Sequence, residues 1–203
     1  MLRVDLHLHS DSSPDSSTSL HELVETCRRL KLDRIALTDH NTASGAIELA
    51  NWEPTLAIVG EEVKSSDGEI IGLFIDRTIR RGADPASICD EVHSMGGLVY
   101  VAHPFDPRRA HFSRERLAAL SDRIDIVEVY NAWCDPESNR KAQEFCDEFG
   151  KVAATGSDAH SAAELGLSWM EMDEYISPRD FLVKLGRARH VITPQSGMRM
   201  RAR

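Results

Sequence analysis

Apolar residues along this chain come in short runs separated by amphipathic stretches. At 3–9, Val4, Leu6 and Leu8 alternate with Asp5, His7 and His9, the period of two that sends successive strand side chains to opposite faces. Asp5, His7 and His9 are therefore expected on one side. A helical pattern follows at 19–30 and a second strand at 34–38. A strand at 55–63 and a hairpin arm at 69–75 flank the turn signal Ser66-Asp67-Gly68. The rhythm continues with a helix at 84–95, a strand at 97–102, a helix at 113–120, a strand at 125–130, a helix at 136–149 and strands at 152–155 and 167–172. Without the hairpin arm this leaves seven strands, each followed by a helix or helix-like segment at intervals of very roughly 30 residues, the pattern of parallel βα units. Closure into a (β/α) barrel is the natural architecture. An open doubly wound sheet fits the same alternation, so the placement of polar groups has to decide. In a barrel, chemistry collects where strand after strand ends.

Composition narrows the class. A chain of 203 residues with 41% hydrophobic and 28% charged residues suits one domain, expected to span 1–203. No run approaches the ~18 apolar residues of a membrane span, so no membrane partner is expected. The start, Met1 to Asp5, lacks the apolar stretch of a secretory signal, which makes the cytoplasm the expected location. A net charge of −9 argues against a large nucleic acid as the main partner. Cys27, Cys89, Cys134 and Cys146 show no CxxC pairing and read as reduced thiols. The basic end at 199–203 reads as a solvated tail.

Strand ends carry the chemistry. The first supplies His7 and His9, a pair that alone could be no more than hydrogen-bonded histidines. The second ends Thr38-Asp39-His40-Asn41, and the third Gly60-Glu61-Glu62. Alternation allows only one of those glutamates into the mouth, and Glu62 is our choice. Next come Ala102-His103-Pro104, Val129-Tyr130-Asn131 and Gly156-Ser157-Asp158-Ala159-His160. Five of the nine histidines (His7, His9, His40, His103, His160) fall at strand ends, whereas His21, His93, His111 and His190 do not. Imidazole plus carboxylate is the donor set of Zn, Mn and Fe sites, and there are more donors here than one tetrahedral ion uses. More than one ion is expected.

These motifs, in order from residue 5 to 160, resemble those of the PHP family, named for polymerase and histidinol phosphatase. The resemblance implies a distorted, seven-stranded, TIM-barrel-like (β/α) fold with a trinuclear metal site and phosphoesterase activity. It implies His7, His9, His40, Glu62, His103, Asp158 and His160 as metal ligands. Asp15, in the loop after His9, matches a further acidic ligand, although its context is Ser13-Pro14-Asp15-Ser16 rather than Ser-Asp-Gly and Asp11 competes with it. Asn131 matches a ligand or substrate contact.

The expected activity is hydrolysis of a small phosphate ester, such as a nucleotide or sugar phosphate, by metal-bound hydroxide on two or three divalent ions (Zn, Mn or Fe). Glu62 is expected to bridge ions and to take part in catalysis. A general acid is expected at Asp39 or Asp106, either of which could instead support a neighbouring histidine. Arg108 and Arg109, in the loop after His103, are the candidate phosphate contacts, with Arg189 and His190 weaker ones. Neither a G-x-S-x-G elbow nor a Gly-rich phosphate loop occurs. Three alternatives stay open: histidinol phosphatase activity, against which the short chain argues; an amidohydrolase-like enzyme acting on a C–N or carboxylic ester bond; and a catalytically silent PHP module.

Overall fold

The computed structural model describes residues 1–193, so the basic end at 199–203 lies outside the described residues. The first strand, β1 (Leu2–Leu8), leads into α1 (Leu20–Leu30), whose first turn is capped by Ser19 accepting from the Glu22 amide. Then come β2 (Arg34–Leu37), α2 (Ser44–Trp52), β3 (Ala57–Lys64), β4 (Glu69–Leu73), α3 (Pro85–Ser94) and β5 (Leu98–Val101). The chain continues through α4 (Arg114–Ala119), β6 (Ile126–Asn131), α5 (Pro136–Phe149), β7 (Val152–Gly156), β8 (Ser168–Met172), α6 (Pro178–Leu185) and β9 (Arg189–Ile192).

Among the described residues the sheet holds nine strands in the order β7-β6-β5-β4-β3-β2-β1-β8-β9, not the seven of the sequence reading. One difference is β4. It is no side arm but a wall of the sheet, antiparallel to both β3 and β5. The other is β9, which pairs antiparallel with β8, itself antiparallel to β1. Parallel βα pairing survives in β1–β2, β2–β3, β5–β6 and β6–β7.

The sheet curls until it nearly closes as a barrel. The seam lies along β1: its first residues pair with β8, and its end bonds to the segment after β7. There the Asp158 amide donates to the His7 carbonyl at 2.7 Å and the His9 amide to the Ala159 carbonyl at 2.9 Å. Inside, Val4, Leu6, Ala36, Ile58, Ile71, Tyr100, Ile126, Ala154 and Met170 form one apolar cluster, to which α6 adds Phe181 and Leu185. Outside, α3 and α5 cover Val99, Val101 and Val127, while α1 and α2 cover Leu8, Ile35 and Leu37.

This packing corrects one expectation for β1. Leu6 belongs to the inner cluster and Leu8 to the outer one, because the strand register shifts between Asp5 and Leu8. Strict alternation is broken there, as at a β-bulge. Asp5 therefore does not share a pocket with His7 and His9. It fills the seam, where its Oδ1 accepts from the amides of His7 (3.3 Å) and Ser157 (3.1 Å).

Candidate metal centre

The strand ends bring a dense set of imidazoles and carboxylates to one place. His7, His9, Glu62, His103, Asp158 and His160 are all buried, His40 is half-buried and Asp15 is exposed. Local backbone turns help to aim them: His103 (φ 27°) and Asp158 (φ 50°) both occupy the left-handed region. Such strain persists where surrounding structure enforces it, commonly at functional sites.

Four atoms converge at the centre. His7 Nε2 lies 3.4 Å from Glu62 Oε2 and 3.5 Å from Asp158 Oδ1. His9 Nε2 lies 3.5 and 3.3 Å from the same two oxygens. All four atoms are buried, and none makes a well-formed hydrogen bond among the described residues. Unpaired buried polar atoms cost about 1–3 kcal/mol each, so four facing one another need an explanation. A divalent cation among them supplies one, since imidazole nitrogen and carboxylate oxygen are its ordinary donors. The residues present fit the group.

Around this centre the donors form overlapping sets whose atoms lie within 4.8 Å of one another: His7, His9 and Glu62; His7, His103 and Asp158; His9, His40 and His160; His40, Glu62 and Glu69. Glu62 is shared widely, with Oε2 also 3.0 Å from His40 Nδ1 and Oε1 2.9 Å from His103 Nε2. Asp15 Oδ2 sits 3.4 Å from Nε2 of both His40 and His160. Its competitor Asp11 instead lines a separate cavity with His21 and Trp52.

The far side of three of the imidazoles is held. His7 Nδ1 donates to Glu128 Oε1 at 3.0 Å, His160 Nδ1 to its neighbour's carbonyl, Asp158 O, at 2.9 Å, and His9 Nδ1 faces Ser13 Oγ at 3.2 Å. Ser13 Oγ in turn donates to Asp39 Oδ1 at 2.9 Å. A proton fixed on Nδ1 leaves Nε2 as the donor to a metal. Asp39 itself accepts from the Ser10 amide and hydroxyl, both at 2.7 Å. It thus braces the Ser10–Ser13 turn and, through Ser13, His9.

The carboxylates set the charge. Burial works against a charged His7, yet Glu128, Asp158 and Glu62 raise its pKa well above the imidazole range. His40 is likewise raised, to about 10, by Glu62 and Asp15 against burial. Burial, with His160 and His40 nearby, pushes His9 down to about 3. Burial opposes the charge on Asp158 and Glu62, but His7 with Arg109 and His7 with His40 respectively hold these carboxyls well below their usual range. The clustered carboxylates thus favour positive charge at the centre, which a bound cation would supply.

The two loop arginines part company. Arg109 NH2 pairs with Asp158 Oδ2 at 2.5 Å. Arg108 turns away, gripping Asp106 through Nε and NH2 at 2.9 Å each and the Trp133 carbonyl at 2.6 Å. That grip also holds Asp106 aside from the four central atoms. Asn131 is buried, its Nδ2 donating to Glu128 Oε2 (3.0 Å) and Asp158 Oδ2 (3.3 Å), its Oδ1 accepting from the Trp133 amide (2.8 Å). Arg189 and His190 belong to edge strand β9.

Sequence reasoning passed over Glu128, Ser13, Glu69 and Gly156. Glu128 accepts four bonds, from His7, Tyr100, the His103 amide and Asn131. A Cβ at Gly156 would meet Glu128 Oε1 and His7 Cβ at 2.4 Å each, so the close approach of β7 to His7 requires glycine. The one available signal was a lone acid inside the apolar run of β6.

The PHP domain model matches residues 5–69, and a PHP-associated model matches residues 136–189. The uncharacterized protein MJ0417 of Methanocaldococcus jannaschii is 32% identical over 194 residues, covering 89% of this chain and 78% of that protein. A two-domain protein of Bacteroides vulgatus containing a predicted PHP-like metal-dependent phosphoesterase shares the fold with a TM-score of 0.74 and 19% identity, over 94% of this chain and 64% of that one. The lesion-specific endonuclease PfuEndoQ of Pyrococcus furiosus has a TM-score of 0.66 and 14% identity, over 93% of this chain and 57% of that one. Matched by family models at residues 5–69 and 136–189, and 32% identical to MJ0417 over 89% of its length, the chain belongs to the PHP family.

Proposed function

We propose that this chain is a metal-dependent phosphoesterase acting on a small phosphate ester, and that it works with two or three divalent ions of the Zn, Mn or Fe type. The observation that carries the reading is the convergence of His7 Nε2, His9 Nε2, Glu62 Oε2 and Asp158 Oδ1, all buried and without a well-formed hydrogen bond among the described residues. Similarity to PHP-like phosphoesterases supports the reaction class. The overlap of the donor sets supports more than one ion.

Ions bound there would polarise phosphoryl oxygens and bring the pKa of a bound water towards about 7. His7, His9, Glu62 and Asp158 would hold the central ion, with His40, His160 and Asp15 on one flank and His103 on the other. Glu128 and the Ser13–Asp39 pair keep the His7 and His9 rings in the ligating orientation. Arg109, already against Asp158, is the guanidinium best placed to donate to a phosphoryl oxygen. Asp39 works as a positioning residue, because both its oxygens are taken by Ser10 and Ser13. The net charge of −9 disfavours a polyanionic substrate and favours a small one.

The test is metal content of the purified chain, with turnover of p-nitrophenyl phosphate and its bis-ester in added Mn²⁺, Zn²⁺ or Fe²⁺. We expect about two or three ions per chain and turnover that a chelator removes and metal restores. Metal-dependent cleavage of amide or carboxylic ester substrates, with phosphate esters untouched, would overturn the reaction class. A chain without bound metal would overturn the whole reading.

A further inference from the structure

Lys64 closes β3 two residues beyond Glu62, and the two share a face because strand side chains alternate. That face is the inner one: Glu62 pairs with Ile71 of the interior cluster, and Lys64 with Glu69. Lys64 therefore stands at the rim of the metal centre, about 7 Å further out along the strand. Glu69, directly across the ladder, makes no ion pair with it among the described residues. That carboxylate turns to the centre instead, where its Oε2 lies 3.9 Å from His103 Nε2.

A second cation is brought alongside. The strap 80–83, between β4 and α3, is tied to the end of the hairpin: the Gly82 amide donates to the Lys64 carbonyl at 2.7 Å and the Ser66 amide to the Ala83 carbonyl at 3.0 Å. Gly82 turns through the left-handed region (φ 76°), which glycine enters without steric cost. Lys64, Ser65, Arg81 and Gly82 then line one cavity of about 310 Å³. The acids two residues from its walls are already engaged, since Asp67 and Asp84 are both held by Arg116 at 2.6 Å. Arg77, earlier in the same connection, is taken by Asp76 and Glu91. Lys64, Arg80 and Arg81 are all exposed, and among the described residues none of them forms an ion pair. Charges more than about 8–10 Å away are screened, so these cations, rather than the net charge of the chain, set the field in the cavity.

We propose that Lys64 and Arg81 form an anion subsite at the rim, which holds a second anionic group of the substrate, a phosphate or a carboxylate, while the centre takes the scissile phosphate. The inference rests on the phosphoesterase reading above and narrows its substrate class to a small ester that is anionic at both ends. The guanidinium offers paired N–H donors to two oxygens of such a group, and the ammonium adds a point charge on a flexible stem. A rigid spacer of about 7 Å between the two groups matches the step from Glu62 to Lys64.

The experiment compares kcat/KM of the Mn²⁺-loaded full chain for phenyl phosphate, 4-carboxyphenyl phosphate and 1,4-phenylene bisphosphate, in wild type, Lys64→Gln and Arg81→Gln. In wild type at least one of the esters with a second anionic group should exceed phenyl phosphate by about tenfold, the scale of one charge-assisted contact, chiefly through KM. Which of them does so identifies the group as carboxylate or phosphate. Each variant should erase most of that advantage, read as a ratio to phenyl phosphate on the same protein so that metal loading cancels. No advantage in wild type overturns the subsite, as does an equal loss on all three esters, which would make the two residues structural. A wild type that leaves all three esters intact overturns the phosphoesterase reading itself, and that result is visible before any variant is compared.

Discussion

Replacing Glu128 by glutamine tests the idea that the centre is set by what stands behind its imidazoles. The carboxylate accepts on both oxygens: Oε1 takes His7 Nδ1 and the Tyr100 hydroxyl, each at 3.0 Å, and Oε2 takes the His103 amide at 2.8 Å and Asn131 Nδ2 at 3.0 Å. A glutamine can match only one side. If its NH₂ takes the Oε1 place, His7 Nδ1 must become an acceptor, and its proton moves to Nε2, the atom that faces Glu62 and Asp158. If its NH₂ takes the Oε2 place, it meets the fixed His103 N–H and an Asn131 amide whose Oδ1 is held by the Trp133 amide. Either arrangement spoils two charge-assisted bonds.

Bonds to a buried charge contribute about 1.5–3 kcal/mol each. Partial relaxation leaves a net loss of roughly 3 kcal/mol, or about 6–12 °C in Tm for a chain of this size. Metal affinity should fall about 10–100-fold. The assay is a thermal melt with and without Mn²⁺, beside a calorimetric Kd. Tyr100→Phe is the control: it removes one donor to Glu128 without touching the His7 tautomer. It should cost about 1.5–3 kcal/mol and leave the Kd near wild type. A Glu128→Gln chain with wild-type affinity, or a Tyr100→Phe chain that loses affinity equally, would refute the tautomer argument.

Glu62→Gln should lower turnover and metal affinity far more than Asp39→Asn, since Glu62 faces four imidazoles whereas Asp39 reaches His9 only through Ser13; the reverse order in a kcat comparison would overturn both roles. Asp5 gives a pH prediction for the metal-free chain. Burial pushes its carboxyl from 3.8 up to about 7, so the folded state holds a proton that the unfolded state releases, and folding loses stability as pH climbs from about 4 to 7. Asp5→Asn removes that loss, with Nδ2 at the unpartnered Oδ2 position, and should stabilise the fold relative to wild type more at pH 8 than at pH 5, by about 3 kcal/mol. An equal difference at both pH values would show that Asp5 is ionised in the fold.

The strands of the parallel units could be read from sequence because both of their faces are buried, so β5 and β6 stand out as apolar runs. Periodicity carries no direction, however, and the antiparallel sense of β4 and β8 left no mark in it. The helix α2 escaped notice because its sequence, Ser44-Gly45-Ala46-Ile47-Glu48-Leu49-Ala50-Asn51-Trp52, has no side-chain cap at Ala43 and only a weak polar stripe. Short β9 is mostly exposed, so nothing in its composition demanded a strand; its pairing with β8 gives the sheet an edge that only the assembled fold defines.

The metal centre divides in the same way. His7, His9, His40, Glu62, His103, Asp158 and His160 could be picked out because each interrupts or ends an apolar run, and a polar group there needs a chemical reason. Ser13 and Glu69 offer no such signal, and the lone acid Glu128 within β6 does not say what it faces. Glu128 matters because the closure of β1 against residues 157–159 brings His7 Nδ1 to it, and Ser13 because the loop after β1 folds back over His9 and Asp39. Glu69 matters because one turn length, set by Ser65 and Gly68, fixes which face of β4 it occupies. A single residue added to that turn would send Glu69 to the outer face without changing any motif by which the family is recognised. The residues that choose a nitrogen, or complete a donor set, are therefore specified by register and closure, and those are properties of the assembled sheet rather than of any one strand.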